Sequence, residues 1–296
     1  MEPLGGDRLD SIRKTYLGLR VVMVLLVVLL FVSVAIQVWL IGPGDCYRTS
    51  FSSYYYTPVR PVFVAALSAV GFCLVLYRGN TDLENVLLNF SGFLAVIVAF
   101  VPTQPGDEVC DLSNLPSTDE IFSASTNNVS ALLVVAALAV VVNAVVFVRA
   151  RLRERVSTVS VVASIVTALA LVGGALIFLT SRERFQSAAH PTAAISLFVG
   201  IFLVVVLNAA SSRGPGYARI YGGAAVGMPV AAVIAFLAGG EHWVFWVEFV
   251  LISSFAVFWA IQTYELRGYV ARPDQPEGTW LGRPHPEGRA VAVSTS

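Results

Sequence analysis

Eight apolar runs divide most of this 296-residue chain. Each is close to the roughly 20 residues that a helix needs to cross a hydrocarbon core of about 30 Å. They cover 21–41, 58–77, 86–101, 129–148, 159–180, 191–210, 220–237 and 243–264, the third being the shortest. None alternates apolar and polar residues with period two, which excludes a barrel. The first run is about twice the length of a signal-peptide core and no small-x-small cleavage site follows it, so it reads as a span. Charged residues make up only 13% of the chain, against about 25% in soluble domains, too few to solvate a globule of this size. The fold class expected is therefore all-α: a polytopic membrane helix bundle of about eight transmembrane helices.

The formal net charge of +0 hides a sorted distribution. With the N-terminus inside, 15 of the 19 basic residues fall on the cytoplasmic side and only Arg48, Arg60, Arg182 and Arg184 fall outside. The long outer segment 102–127 has no basic residue and carries Asp107, Glu108, Asp111, Asp119 and Glu120. The positive-inside rule then gives an N-in, C-in protein of the plasma (inner) membrane, and the even number of runs agrees. The organisation expected is a basic cytoplasmic segment over 1–20, a transmembrane domain over 21–265, and a disordered cytoplasmic tail over 266–296, rich in Pro, Gly and charge. No basic face is dense enough to neutralise a run of phosphates, so a nucleic-acid partner is excluded and membrane lipid is the expected partner.

In this threading Cys46 and Cys110 both lie on the oxidising side, which predicts a Cys46–Cys110 disulfide, while Cys73 reads as a small core residue. Thr81 or Asn80 is placed to cap the third helix, with Asp82 and Glu84 complementing its dipole. Asn208 and Gln262 read as hydrogen-bonding glue between helices. Gly223 and Gly227, spaced G-x-x-x-G before Pro229, predict close packing and a kink in the seventh helix.

An ionisable side chain in hydrocarbon asks for a partner or a role. Glu248 is the carboxylate deepest within a run, and His242, Trp243 and Trp246 stand just before it. His190 stands at the expected outer start of the sixth helix, with Pro191 at its first position. These residues read either as a site open to the outside, with His190, His242 and Glu248 as metal ligands or acid–base groups, or as an interfacial belt. In the second reading Glu248 pairs with Arg60 or sits against a hydroxyl. No His-x-x-x-His spacing supports a metal, so the expectation is no cofactor, with zinc the one candidate. Tyr54, Tyr55 and Tyr56 crowd the outer mouth of the second helix beside Arg48 and Arg60. Three adjacent tyrosines cannot all face headgroups, so at least one points inward, toward a ligand or Glu248.

The stretches S-S-Y-Y-Y-T-P-V-R (52–60), Y-R-G-N-T-D-L-E-N-V-L-L-N (77–89) and F-W-A-I-Q-T-Y-E-L (258–266) resemble a group of uncharacterised bacterial multi-pass membrane proteins, over most of helices two to eight. That resemblance implies the fold and no activity. A more distant similarity, in helix count and Ser/His placement, is to the ceramidase and adiponectin-receptor superfamily of metal-dependent membrane hydrolases. The chain departs from that superfamily in lacking its H-x-x-x-H pair.

Three functional classes follow. The leading one is an accessory or lipid/small-ligand-binding membrane protein with an outward-facing polar pocket formed by Tyr54, Tyr55, Tyr56, Arg60, His190, His242 and Glu248. The alternatives are a small-molecule or lipid transporter and a metal-dependent lipid hydrolase.

Overall fold

The computed structural model describes residues 6–41, 48–104, 117–151, 158–212 and 215–267. Cys46, Cys110 and the tail beyond 267 lie outside these residues, so the disulfide and tail expectations fall there too. Eight α-helices follow one another: α1 (Gly6–Ile41), α2 (Arg60–Leu76), α3 (Asp82–Phe100), α4 (Thr118–Arg151), α5 (Thr158–Thr180), α6 (Arg182–Ser211), α7 (Pro215–Ala238) and α8 (Trp243–Glu265). Short 3-10 helices at Ser52–Tyr56 and Gly240–His242 precede α2 and α8. Among the described residues there is no strand.

Six of these helices, α1, α3, α4, α6, α7 and α8, are long and apolar enough to cross a membrane. Arg60–Leu76 and the Ile165–Thr180 part of α5 are apolar but shorter. Large apolar side chains stay uncovered on the outside of the bundle; Trp39 is 84% exposed and Leu237 74%. Such a surface is stable only against lipid or another apolar partner, and the molecule is an all-helical membrane protein.

Several helices begin earlier than the apolar runs. α1 extends back to Gly6 through the basic segment, where Asp10 pairs with Arg13 and Lys14 one turn on. Pairs at this spacing support an exposed helix. α4 starts at Thr118 and α6 at Arg182, so Pro191 lies inside α6 rather than at its first position. α2 is the reverse case. It is shortened to 17 residues because Thr57 and Pro58 belong to the turn after the 3-10 helix and Tyr77 leaves in extended conformation.

The core lies where α1, α2, α3, α6, α7 and α8 meet, around the fully buried Leu74, Leu88, Val204 and Trp259. α2 and α3 meet backbone to backbone. A Cβ on Gly71 would stand 2.6 Å from the Gly92 carbonyl oxygen, and one on Gly92 would stand 2.5 Å from that of Gly71. Only glycine lets two backbones approach so closely. The G-x-x-x-G pair of α7 behaves otherwise: a Cβ on Gly223 or Gly227 would meet nothing within 4 Å. Close packing falls instead on Gly71 against Gly92 and on Gly200 against Ser91, residues of different helices that form no sequence motif. The pair α4–α5 is attached more loosely. It is joined to α3 and α6 by a small cluster of Val101, Val129, Phe178 and Phe185 at the end of the bundle that carries the Ser52–Tyr56 helix.

Candidate functional site

Glu248 and the segment before α2 hold each other by a reciprocal cap. The carboxylate of Glu248, on α8, accepts the backbone N–H of Phe51 at 2.6 Å, the N–H of Ser52 at 3.1 Å and the Ser52 hydroxyl at 2.8 Å. These are N–H groups at the start of the Ser52–Tyr56 helix, where no intrahelical acceptor exists. In return the Thr49 carbonyl accepts the N–H of Phe245 in the first turn of α8, at 2.9 Å. Glu248 is therefore engaged by a hydroxyl and two backbone amides. Arg60, the alternative partner, donates its Nε to the Tyr55 carbonyl at 2.9 Å and lies 4.7 Å from the Tyr55 ring centroid.

All three tyrosines turn inward. Tyr54, Tyr55 and Tyr56 are buried in a cluster with Phe51, Val59, Phe63 and Phe245. The Tyr56 hydroxyl donates to the Thr103 carbonyl at 2.5 Å, tying the segment to the end of α3. Burial pushes its ionisation up to about 12, with the Tyr55 hydroxyl adding to the rise and Arg60 opposing it. Arg48 is likewise buried. These side chains make a packed aromatic lid over the bundle end.

The histidines have separate settings. His190 lies within α6, buried against α3, with its Nδ1 2.6 Å from the Val101 carbonyl. A carbonyl only accepts, so Nδ1 carries a proton there. His242 is half-buried at the end of the Gly240–His242 turn, where Gly240 takes the positive φ of 55° that favours glycine. Among the described residues no group of three or more His, Cys, Asp or Glu side chains converges as metal ligands would.

The opposite end carries a second polar cluster that the hydropathy pattern did not single out. Glu84, in the first turn of α3, is only 2% exposed. Its carboxylate accepts the Asn80 backbone N–H at 2.7 Å, the Asn80 amide at 3.2 Å and the Asn208 amide of α6 at 3.0 Å. The Gln262 amide of α8 donates to Asn208 at 3.3 Å. Both Asn208 and Gln262 thus act as the interhelical glue expected of them. Thr81 is the cap of α3, its hydroxyl accepting the Glu84 N–H at 3.2 Å. Gly79 is needed beside it, since a Cβ there would stand 2.6 Å from the Glu84 side chain. Arg20 of α1 is fully buried nearby, donating to the Tyr77 hydroxyl at 3.0 Å and to the Leu266 carbonyl at 3.1 Å. The spacing Thr81-x-x-Glu84, a capping-box pattern, was the available signal for this corner.

A further concavity belongs to neither cluster. It is a part-enclosed cleft of about 390 Å³ between α3, α4, α5 and α6. Its walls are nearly all apolar, including Phe90, Phe93, Leu133, Leu171 and Gly174. Thr167, Thr192 and Ser196 supply hydroxyls, and Arg184 is its one charged lining residue. The volume falls in the range of about 300–1,000 Å³ typical of small-ligand sites. From Arg184 to Ser196 α6 rises roughly 18 Å, a little over half of a hydrocarbon core of about 30 Å. The cleft therefore has the depth of one membrane leaflet. No protein-family model, curated protein or solved structure matches the chain.

Proposed function

We propose that this is a plasma-membrane protein of eight spans, with both termini cytoplasmic, that holds a membrane lipid by an acyl chain in the cleft between α3, α4, α5 and α6. The cleft carries the reading: it is apolar, lies among apolar helices of which α3, α4 and α6 are long enough to cross a membrane, and matches one leaflet in depth. This relocates ligand binding from the tyrosine cluster, whose side chains are packed on one another, to a cleft beside it. The eight-span threading rests on the sorting of arginines and on the eight consecutive helices. At 17 residues, α2 is at the lower limit of about 17–25 for a span.

The test is lipid retention by the full chain purified in detergent. The wild-type protein is expected to keep about one lipid per chain through delipidating washes, for one leaflet-deep site of this volume. A Gly174→Leu/Ala188→Leu variant, which fills the cleft from two sides, is expected to lose it while unfolding at an unchanged temperature. Retention that is equal in both proteins, or absent from both, would overturn the reading.

The same topology puts Cys46 and Cys110 on one oxidising face, and their disulfide belongs to the proposal. Cys73 has a free thiol. Alkylation of the denatured chain should then modify one cysteine without reductant and all three with it. Three modifications without reductant would remove the disulfide.

A further inference from the structure

Resting on that lipid-binding reading, we propose that the cleft selects lipids whose headgroup carries net negative charge, and that Arg184 is the headgroup residue. Arg184 stands in the first turn of α6, at the end of the cleft facing out of the bundle, and its side chain is exposed. An acyl chain lying along the cleft toward Ser196 brings its phosphodiester to the level of this guanidinium, whose planar donor fork suits phosphate oxygens.

The local electrostatics point the same way. Arg182 and Arg184 flank Glu183 in the first turn of α6, so the positive end of the helix dipole keeps a net positive charge there. Ser181, at the cap position, makes no side-chain hydrogen bond to the helix, so its first N–H groups add to the positive potential. Arg182 lies over the Phe178 ring at 5.6 Å, on the α5 wall beside the cleft. Arg184 makes no ion pair among the described residues.

Among the described residues, the acidic groups at this end of the neighbouring elements are Glu183, Asp119 and Glu120. Glu183 is exposed and does not line the cleft. At the start of α4, Glu120 accepts the Ser117 N–H and hydroxyl, and Asp119 is exposed. Arg182 has the Phe178 ring as its contact, but Arg184, lining an apolar cleft at an uncapped helix start, has no ion-pair partner among the described residues. An anion tethered to a hydrocarbon chain accounts for both features together.

The experiment titrates the detergent-purified full chain with phosphatidylglycerol and with phosphatidylcholine of identical acyl chains. Wild-type protein is expected to bind phosphatidylglycerol more tightly by about fivefold, the value of one arginine at a lipid surface. Raising the salt concentration should shrink that ratio. Arg184→Gln should bring it to near unity, Arg184→Lys should restore part of it, and Arg219→Gln at the other end of the bundle should leave it unchanged. Soluble glycerol phosphate should not displace the lipid.

Equal binding of the two lipids by the wild-type chain, or a preference that survives Arg184→Gln, overturns the headgroup assignment and leaves the lipid cleft standing. Displacement by glycerol phosphate would make the occupant a soluble anion and overturn it too. Failure of both lipids to bind, or undiminished binding of both by Gly174→Leu/Ala188→Leu, removes the cleft reading itself.

Discussion

The six-helix body formed by α1, α2, α3, α6, α7 and α8 and the α4–α5 pair draw on the same Val-, Ala- and Leu-rich alphabet, yet they pack differently. In the body, α2 and α3 touch backbone to backbone at Gly71 and Gly92, and Glu84, Asn208 and Gln262 link α3, α6 and α8 through side-chain hydrogen bonds. In the pair, Val134, Val135, Leu138 and Val141 of α4 each leave about 60% of their surface uncovered. A hydrogen bond from the Gln186 amide to the Phe122 carbonyl at 3.3 Å ties α4 to α6. Apolarity does not separate the two regions, because in hydrocarbon it provides no drive for one helix to seek another. Small residues that permit close approach and polar groups that need partners decide which helices join. Along α4 and α5 polar links to the body are few among the described residues, and small residues such as Ala170, Gly174 and Ala188 line a gap instead of closing it; that gap is the cleft.

The sharpest way to break this contrast is at Glu84. Glu84→Leu leaves the Asn80 N–H, the Asn80 amide and the Asn208 amide without their acceptor. Each buried donor left unsatisfied costs about 1–3 kcal/mol, so a loss of about 3 kcal/mol or more is expected in thermal or denaturant unfolding of the solubilised chain. Glu84→Gln keeps one acceptor oxygen and should recover part of the loss. An unfolding curve unmoved by Glu84→Leu would mean that the polar corner does not hold the body together.

A matched substitution at two glycines measures the packing difference directly. Gly92→Leu drives a side chain into the Gly71 carbonyl and should cost about 1–3 kcal/mol by overpacking. Gly174→Leu points into open space and should stay within about 0.5 kcal/mol of wild type. Equal effects at the two sites would show that the pair packs as tightly as the body and that no cleft persists in solution.

Run length and hydropathy were enough to read the helical membrane architecture, because lipid imposes both on any spanning helix. A cap at Asn80 or Thr81 and the gluing roles of Asn208 and Gln262 were also legible, each being a polar side chain with few other uses at its position, though not that Asn208 and Gln262 bond to each other. Arg20 and Glu84 were not: both sit at the ends of apolar runs, where a charge is ordinarily solvated, and only the meeting of α1, α3, α6 and α8 buries them. His190 was misjudged through a helix boundary. The apolar run starts after it, whereas α6 begins at Arg182 and carries His190 into contact with Val101. The cleft has no local signature, since it depends on how far α4 stands from α3. Arg184 was legible only as one of four outer cations.

The smallest expected effect concerns Gly223 of α7, where sequence spacing and chain packing disagree. The G-x-x-x-G pattern states that a helix face is suited to close approach, without saying against what. Within the chain that face is open, so Gly223→Ala removes no contact and replaces glycine by the best helix former. In an exposed helix that exchange is worth up to about 1 kcal/mol, and the solubilised protein should unfold at the same temperature or slightly higher. A fall in stability that deepens with protein concentration would instead show that α7 is covered by a second copy. The glycines would then belong with Gly71 and Gly92 as sites of backbone contact, this time between chains.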